Sequence, residues 1–237
     1  LNLLDQAEID RVWNQLNISD RAKSSRVYIN SKLPFGYNYV DTNLRITHDY
    51  DNFGGHGSHV AGISAANRYI PEADGYLRAA DTVFVSGAAP DAQIITLKVA
   101  GVGGGIAESD YMAAIEDAIL LDCDAVNLSL GSDNGFAYDD TAIHGVYARL
   151  EQAGVILMTA AGNSENSPAQ GNERGGLNLA EDPDISMMSS PAVYPSNLAV
   201  ASINSTINMQ SVLSWNDAQG QSHTVPFSDP NEVAMKG

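Results

Sequence analysis

The feature that most constrains the fold is a rhythm in the middle of the chain, where apolar runs of strand length alternate with segments of helical period. Gln93–Ala100 (QIITLKVA), Asp124–Leu130 (DAVNLSL), Val155–Ala161 (VILMTAA) and Asn197–Ile203 (NLAVASI) read as strands. Between them, Ser109–Leu121 places Met112, Ile115 and Ile119 on one helical face with Ser109 as the expected N-cap. Asp140–Ala153 is a second helix, closed by Gly154. Strands separated by helices of 13–14 residues imply βαβ units. The expected fold class is therefore α/β: a doubly wound, mostly parallel sheet with helices on both faces.

The flanks carry weaker signals. Residues 4–17 space Leu4, Ile9, Val12, Trp13 and Leu16 as one amphipathic helix. Residues 27–53 are aromatic and turn-rich, read as loop with one short strand. His56–Asn67 (HGSHVAGISAAN) is a run of small residues, expected to be a buried helix that starts at His56. Residues 164–190 are polar and rich in Gly and Pro, a long loop. From Asn204 onward the chain alternates weakly, as an additional β-rich unit would.

Composition narrows the function. A chain of 237 residues with 44% hydrophobic content fills a real core. Its 12 Lys and Arg against 29 Asp and Glu leave a net charge of −17, which repels nucleic-acid phosphates and anionic lipid heads. The single cysteine, Cys123, cannot form an intrachain disulfide, and no apolar run approaches the roughly 20 residues of a membrane span. The chain begins at Leu1 without Met or a signal segment and stops at Gly237, and is expected to be a piece of a longer precursor.

In a parallel sheet, chemistry gathers at the carboxyl ends of the strands. A histidine in the first turn of a helix, followed by Gly57, is held in one orientation, and its unperturbed pKa near 6.5 suits a general base. A lone histidine is more often structural; the context His56-Gly57-Ser58-His59-Val60-Ala61-Gly62-Ile63 reverses that balance in favour of the base. Two other chemistries are set aside. Gly101-Val102-Gly103 begins a dinucleotide fingerprint, but Ile106 stands where its third glycine belongs. His48, Asp49, Asp51, His56 and His59 cluster, yet H-E-x-x-H is absent, so no metal site is assigned.

HGSHVAGI resembles the histidine motif of the subtilisin-like serine proteases, the subtilases. In sequence order, Asp124–Gly131 (DAVNLSLG) is similar to the subtilase strand whose Ser-Leu-Gly backbone pairs with substrate. Thr159–Ser164 (TAAGNS) resembles the segment with the oxyanion-hole asparagine, and Tyr194-Pro195-Ser196 precedes the family's next strand. Lys32–Val40 (KLPFGYNYV) and the loop after Asn163 look closest to lactocepin-like cell-envelope proteinases of Gram-positive bacteria.

The resemblance implies His56 as the triad base and Asn163 as the side-chain donor that steadies the tetrahedral intermediate. That chemistry stands by itself, because attack on a peptide carbonyl concentrates negative charge on its oxygen. Outside this context, Asn163 reads equally as a turn residue after Gly162. Ser129-Leu130-Gly131 and Gly103-Gly104-Gly105 are expected to offer two backbone edges to an extended polypeptide substrate; a buried serine and a flexible loop are the plainer alternatives.

Residues 1–203 then form a partial subtilisin-like peptidase domain, and 204–237 begin an inserted one. The family's acid stands in Asp-Ser/Thr-Gly. The nearest match, Asp41-Thr42-Asn43, lies only 15 positions before His56 with no long apolar strand leading into it, so Asp41 is read as a loop carboxylate. The true acid is expected upstream of Leu1. Gly-Thr-Ser, the nucleophile motif, occurs nowhere, so the chain alone is expected to be inactive. The rival is a non-catalytic subtilase homologue that binds peptides or acts as a scaffold. An esterase would need G-x-S-x-G, which is absent. No cofactor is required; calcium is common in the family, but no ligand loop is readable. The expected location is secreted or attached to a Gram-positive cell envelope.

Overall fold

The structure is a computed structural model, and it describes residues 3–18, 24–52, 54–83, 86–132, 135–137, 141–162, 188–202, 212–217 and 219–226. In chain order its elements are α1 (Gln6–Val12), β1 (Phe35–Asn38), α2 (His56–Ala65), β2 (Tyr69–Glu72), β3 (Gly75–Arg78), α3 (Ala79–Val83), β4 (Ile95–Lys98), α4 (Glu108–Leu120), β5 (Ala125–Leu128), α5 (Ala142–Gln152), β6 (Ile156–Ala160), β7 (Leu198–Val200), β8 (Val212–Asn216) and β9 (Ser222–Pro226). Chain contacts divide these into one unit over Leu1–Ala201 and another over Ser202–Gly237. In the second unit, β8 and β9 form an antiparallel hairpin.

In the first unit the expected strands β4, β5, β6 and β7 are present, and every ladder among them is parallel. The chain is thus α/β. The sheet is in two pieces among the described residues: β1 pairs with β4, and β5-β6-β7 form a separate three-stranded sheet. β4 and β5 each have one edge without a ladder, although α4 links them. The short strand expected within residues 27–53 is β1, buried along its whole length.

Helix α4 joins the two halves. Ala114 and Leu121 pack with Ile9, Val12, Phe35 and Tyr37 in one core cluster, whereas Ile115 packs with Leu128, Val146, Leu150 and Leu157 in the other. Because side chains alternate along a strand, Val126, Leu128, Leu157 and Thr159 share the face under α4 and α5. The opposite face carries Ile156, Leu198 and Val200, each more than half exposed. The buried Thr159 hydroxyl has no hydrogen-bond partner among the described residues. Thr159→Val is therefore expected to stabilise the chain by about 1 kcal/mol, read as a higher urea midpoint at unchanged m-value.

Two expectations are corrected. Helix α4 begins at Glu108 with Ala107 as N-cap and no side-chain cap, so Ser109 lies inside the first turn. Glu108 and Asp110 there complement the positive end of the helix dipole instead. Helix α2 does start at His56, but it is not a buried helix: only Ala65 is buried. The described chain holds it near its carboxyl end, where the N–H groups of Gly87, Ala88 and Ala89 donate to the carbonyls of Ala66, Ile63 and Ser64. Gly87 is required for that close approach, since a Cβ there would lie 2.2 Å from the Ala66 nitrogen. Finally, the β2–β3 hairpin escapes a reading based on long periodic runs. Its signal is Asp74-Gly75 between two tyrosine-bearing segments, with Gly75 at φ +147.

Candidate active site

The segments expected to carry chemistry follow strand ends, where the topology rule places them. The Gly103–Gly105 turn follows β4, Ser129-Leu130-Gly131 follows β5, and Ala161-Gly162 follows β6. Residues 103–105 form an exposed tight turn, closed by Gly101 N donating to Gly105 O at 3.0 Å and Gly104 N to Gly101 O at 2.8 Å. The left-handed φ of +74 at Gly104 explains the glycine there.

The ends of β5 and β6 are drawn together by residues 188–190. Ser132 and Ser190 exchange both backbone bonds, Gly135 N donates to Met188 O at 3.0 Å, and Ser189 N donates to Ala161 O at 2.8 Å. Ser189 is buried between the two segments. A Cβ at Gly162, itself at φ +116, would meet the Ser189 hydroxyl at 2.2 Å, and one at Gly131 would meet Ser190 O at 2.9 Å. Gly131 thus lets backbone pass close to backbone, and Gly162 leaves room for the Ser189 side chain. Asn163 is the next residue and lies outside the described residues, so its distance to His56 is not defined.

His56 is exposed at the first position of α2, and its side chain makes no hydrogen bond or ion pair among the described residues. Its approach is tethered. The Lys98 ammonium at the end of β4 bonds both oxygens of Asp51, at 2.7 and 2.6 Å, with the side chains only 10% and 17% exposed. Asn52 N also donates to Val102 O in the glycine turn. Together these tie the loop leading to His56 to the carboxyl end of β4. Reading the sequence missed this pair. The available signal was a lone lysine inside an apolar strand run, which demands a carboxylate when half-buried.

Asp41 occupies a turn three residues beyond β1, held by Asn38. The Asn38 amide donates to Asp41 Oδ2 at 3.0 Å, and Asp41 N donates back to Asn38 Oδ1 at 3.0 Å. Cys123 is no alternative nucleophile, because burial first and then Asp124 and Asp122 push its thiol up to about 12. Among the described residues no three His, Cys, Asp or Glu side chains converge as a metal-ligand set.

The model of the Subtilase family matches residues 18–235. The chain belongs to the subtilase family. This subtilase is 32% identical over 207 residues to a PI-type proteinase of Lactococcus lactis subsp. cremoris, an alignment covering 85% of the chain and 10% of that protein. It is 30% identical over 205 residues to a C5a peptidase of Streptococcus pyogenes, covering 81% of the chain and 16% of that protein. The subtilase chain therefore spans about a tenth to a sixth of the length of these curated relatives. Among solved structures, the S41 psychrophilic protease is similar at 25% identity and a TM-score of 0.45, over 75% of this chain and 46% of that one.

Proposed function

We propose that this chain is the histidine- and asparagine-bearing portion of a subtilisin-like serine endopeptidase. His56 takes the proton of the attacking serine and returns it to the leaving amine, while the Asn163 carboxamide and backbone N–H groups receive the oxyanion. Polypeptide substrate lies extended along Ser129–Gly131 and Gly103–Gly105, held by main-chain bonds. The observation that carries this reading is an exposed His56 at a helix start, without a side-chain partner among the described residues and tethered through Asp51–Lys98 to the strand end beside the glycine turn.

The acid and the serine come from elsewhere in the parent polypeptide. The edges of β4 and β5 that lack a ladder support a further parallel strand between them, bearing the acid. The bare apolar face at Ile156, Leu198 and Val200 supports a covering element over it, and the exposed flanks of α2 support packing against further chain there. The reading needs no cofactor. Location outside the cell or on a Gram-positive envelope is supported by relatives from Lactococcus and Streptococcus.

The test is a fluorogenic peptide assay on the parent and on this chain alone. The parent is expected to cleave and to be blocked by a serine-directed fluorophosphonate, whereas the chain turns over nothing. Asn163→Ala in the parent should lower kcat by about 10²–10³, with KM little changed. A parent that neither cleaves nor takes the label would leave the peptide-binding homologue as the better reading.

A further inference from the structure

Behind the glycine turn lies a cleft of about 260 Å³ lined by Asn38, Asp41, Asn43, Arg45, Lys98 and Val102. Val102 belongs both to this cleft and to the turn proposed to hold substrate backbone. Side chains of an extended peptide alternate in direction, so a peptide along Gly103–Gly105 can offer one of them to the cleft that Val102 shares with the turn.

The charges in the cleft are not equivalent. Lys98 is already neutralised by both oxygens of Asp51. Arg45 is engaged by its own contacts. Asp41 is exposed and has no cation partner among the described residues. Its carboxylate is nevertheless fixed, because Asn38, only 1% exposed, bonds Asp41 at its Oδ2 and its backbone N–H. A carboxylate pre-oriented by a buried amide meets a cation without further loss of freedom, and the chain's net charge of −17 steers cationic segments toward it.

We propose that this cleft takes a lysine or arginine side chain of the polypeptide substrate, paired with Asp41, and so sets a preference for basic residues on the side of the substrate that runs along Gly103–Gly105. The proposal rests on the endopeptidase reading. It is tested on this chain by titrating acetylated, amidated pentapeptides, Ala-Ala-X-Ala-Ala with X as Lys, Leu or Glu, against its backbone amide resonances.

The Lys peptide is expected to bind about three- to fivefold tighter than the Leu peptide at low salt, with the gap shrinking at 0.5 M NaCl. Asp41→Asn should erase that gap; as Asp41 is exposed, the fold survives, checked by the amide spectrum. Equal binding of Lys and Leu peptides, or tighter binding of Glu, overturns the cleft assignment alone. No perturbation of residues 103–105 and 129–131 by any peptide overturns the substrate-strand reading as well.

Discussion

Replacing His56 by alanine in the parent enzyme is expected to lower kcat by at least about 10⁴-fold, and by up to about 2 × 10⁶, with little change in KM. The upper figure is a subtilisin's own. The reason is that imidazole is the only group proposed to accept the serine proton, and without it the hydroxyl is too weak a nucleophile near neutral pH. His59→Ala and His48→Ala are the controls. Both side chains are exposed nearby, and His48 merely lies 3.3 Å from the Ser58 hydroxyl, so each should leave kcat within about threefold of wild type. Stability separates the roles further. His56 is exposed and bonds nothing among the described residues, so His56→Ala should shift ΔG of unfolding by no more than about 0.5 kcal/mol. If the histidine variant unfolds as its activity falls, or retains more than a tenth of wild-type kcat, His56 is not the base.

Asp117→Ala should produce the largest loss of stability, about 3–5 kcal/mol, visible as a fall in the urea midpoint. Asp117 on α4 is fully buried and accepts from Asn17 N at 2.8 Å, Asn17 Nδ2 at 2.9 Å and the Tyr39 hydroxyl at 2.7 Å. It therefore fastens the chain after α1 and the chain after β1 to the helix shared by both cores. Alanine leaves the buried Tyr39 hydroxyl unpaired and takes their acceptor from the two Asn17 donors; Asp117→Asn keeps one acceptor and should cost less than half as much.

The same carboxyl carries a pH signature. Burial raises its pKa above the ordinary 3.8, outweighing the Asn17 and Tyr39 bonds that act in the opposite direction. Between 3.8 and that raised value, the folded chain holds a proton that the unfolded chain has released. Asp117's contribution to stability thus declines as pH rises through this window and is level above it. Unfolding followed against pH should show that decline in wild type and not in Asp117→Asn; identical slopes would mean the group titrates normally.

Much of the architecture was legible because local periodicity encodes it. The apolar runs at 95–98, 125–128, 156–160 and 198–200 became strands, and Gly154, at φ +78, ends the helix before β6 as its type requires. His56 opens its helix at the expected residue, since Gly55 ahead of it and the small residues behind it favour a start there. The same local rules failed where two starts were nearly equal, as at Ala107 and Ser109, and where a short hairpin left no long period.

On which elements the candidate residues ride was thus decided by the sequence itself: a histidine at a helix start and glycines at strand ends. What only tertiary structure decided is who meets whom. Asp51 finds Lys98 across 47 residues and Asp117 finds Asn17 across 100, while Ser189 fits between Gly131 and Gly162. Such pairs depend on how separate elements pack, and the same packing left α2 exposed and the sheet divided between β4 and β5. Periodicity along a chain specifies the faces of its elements, but a contact also needs the position and angle of a second element, which only long-range packing supplies.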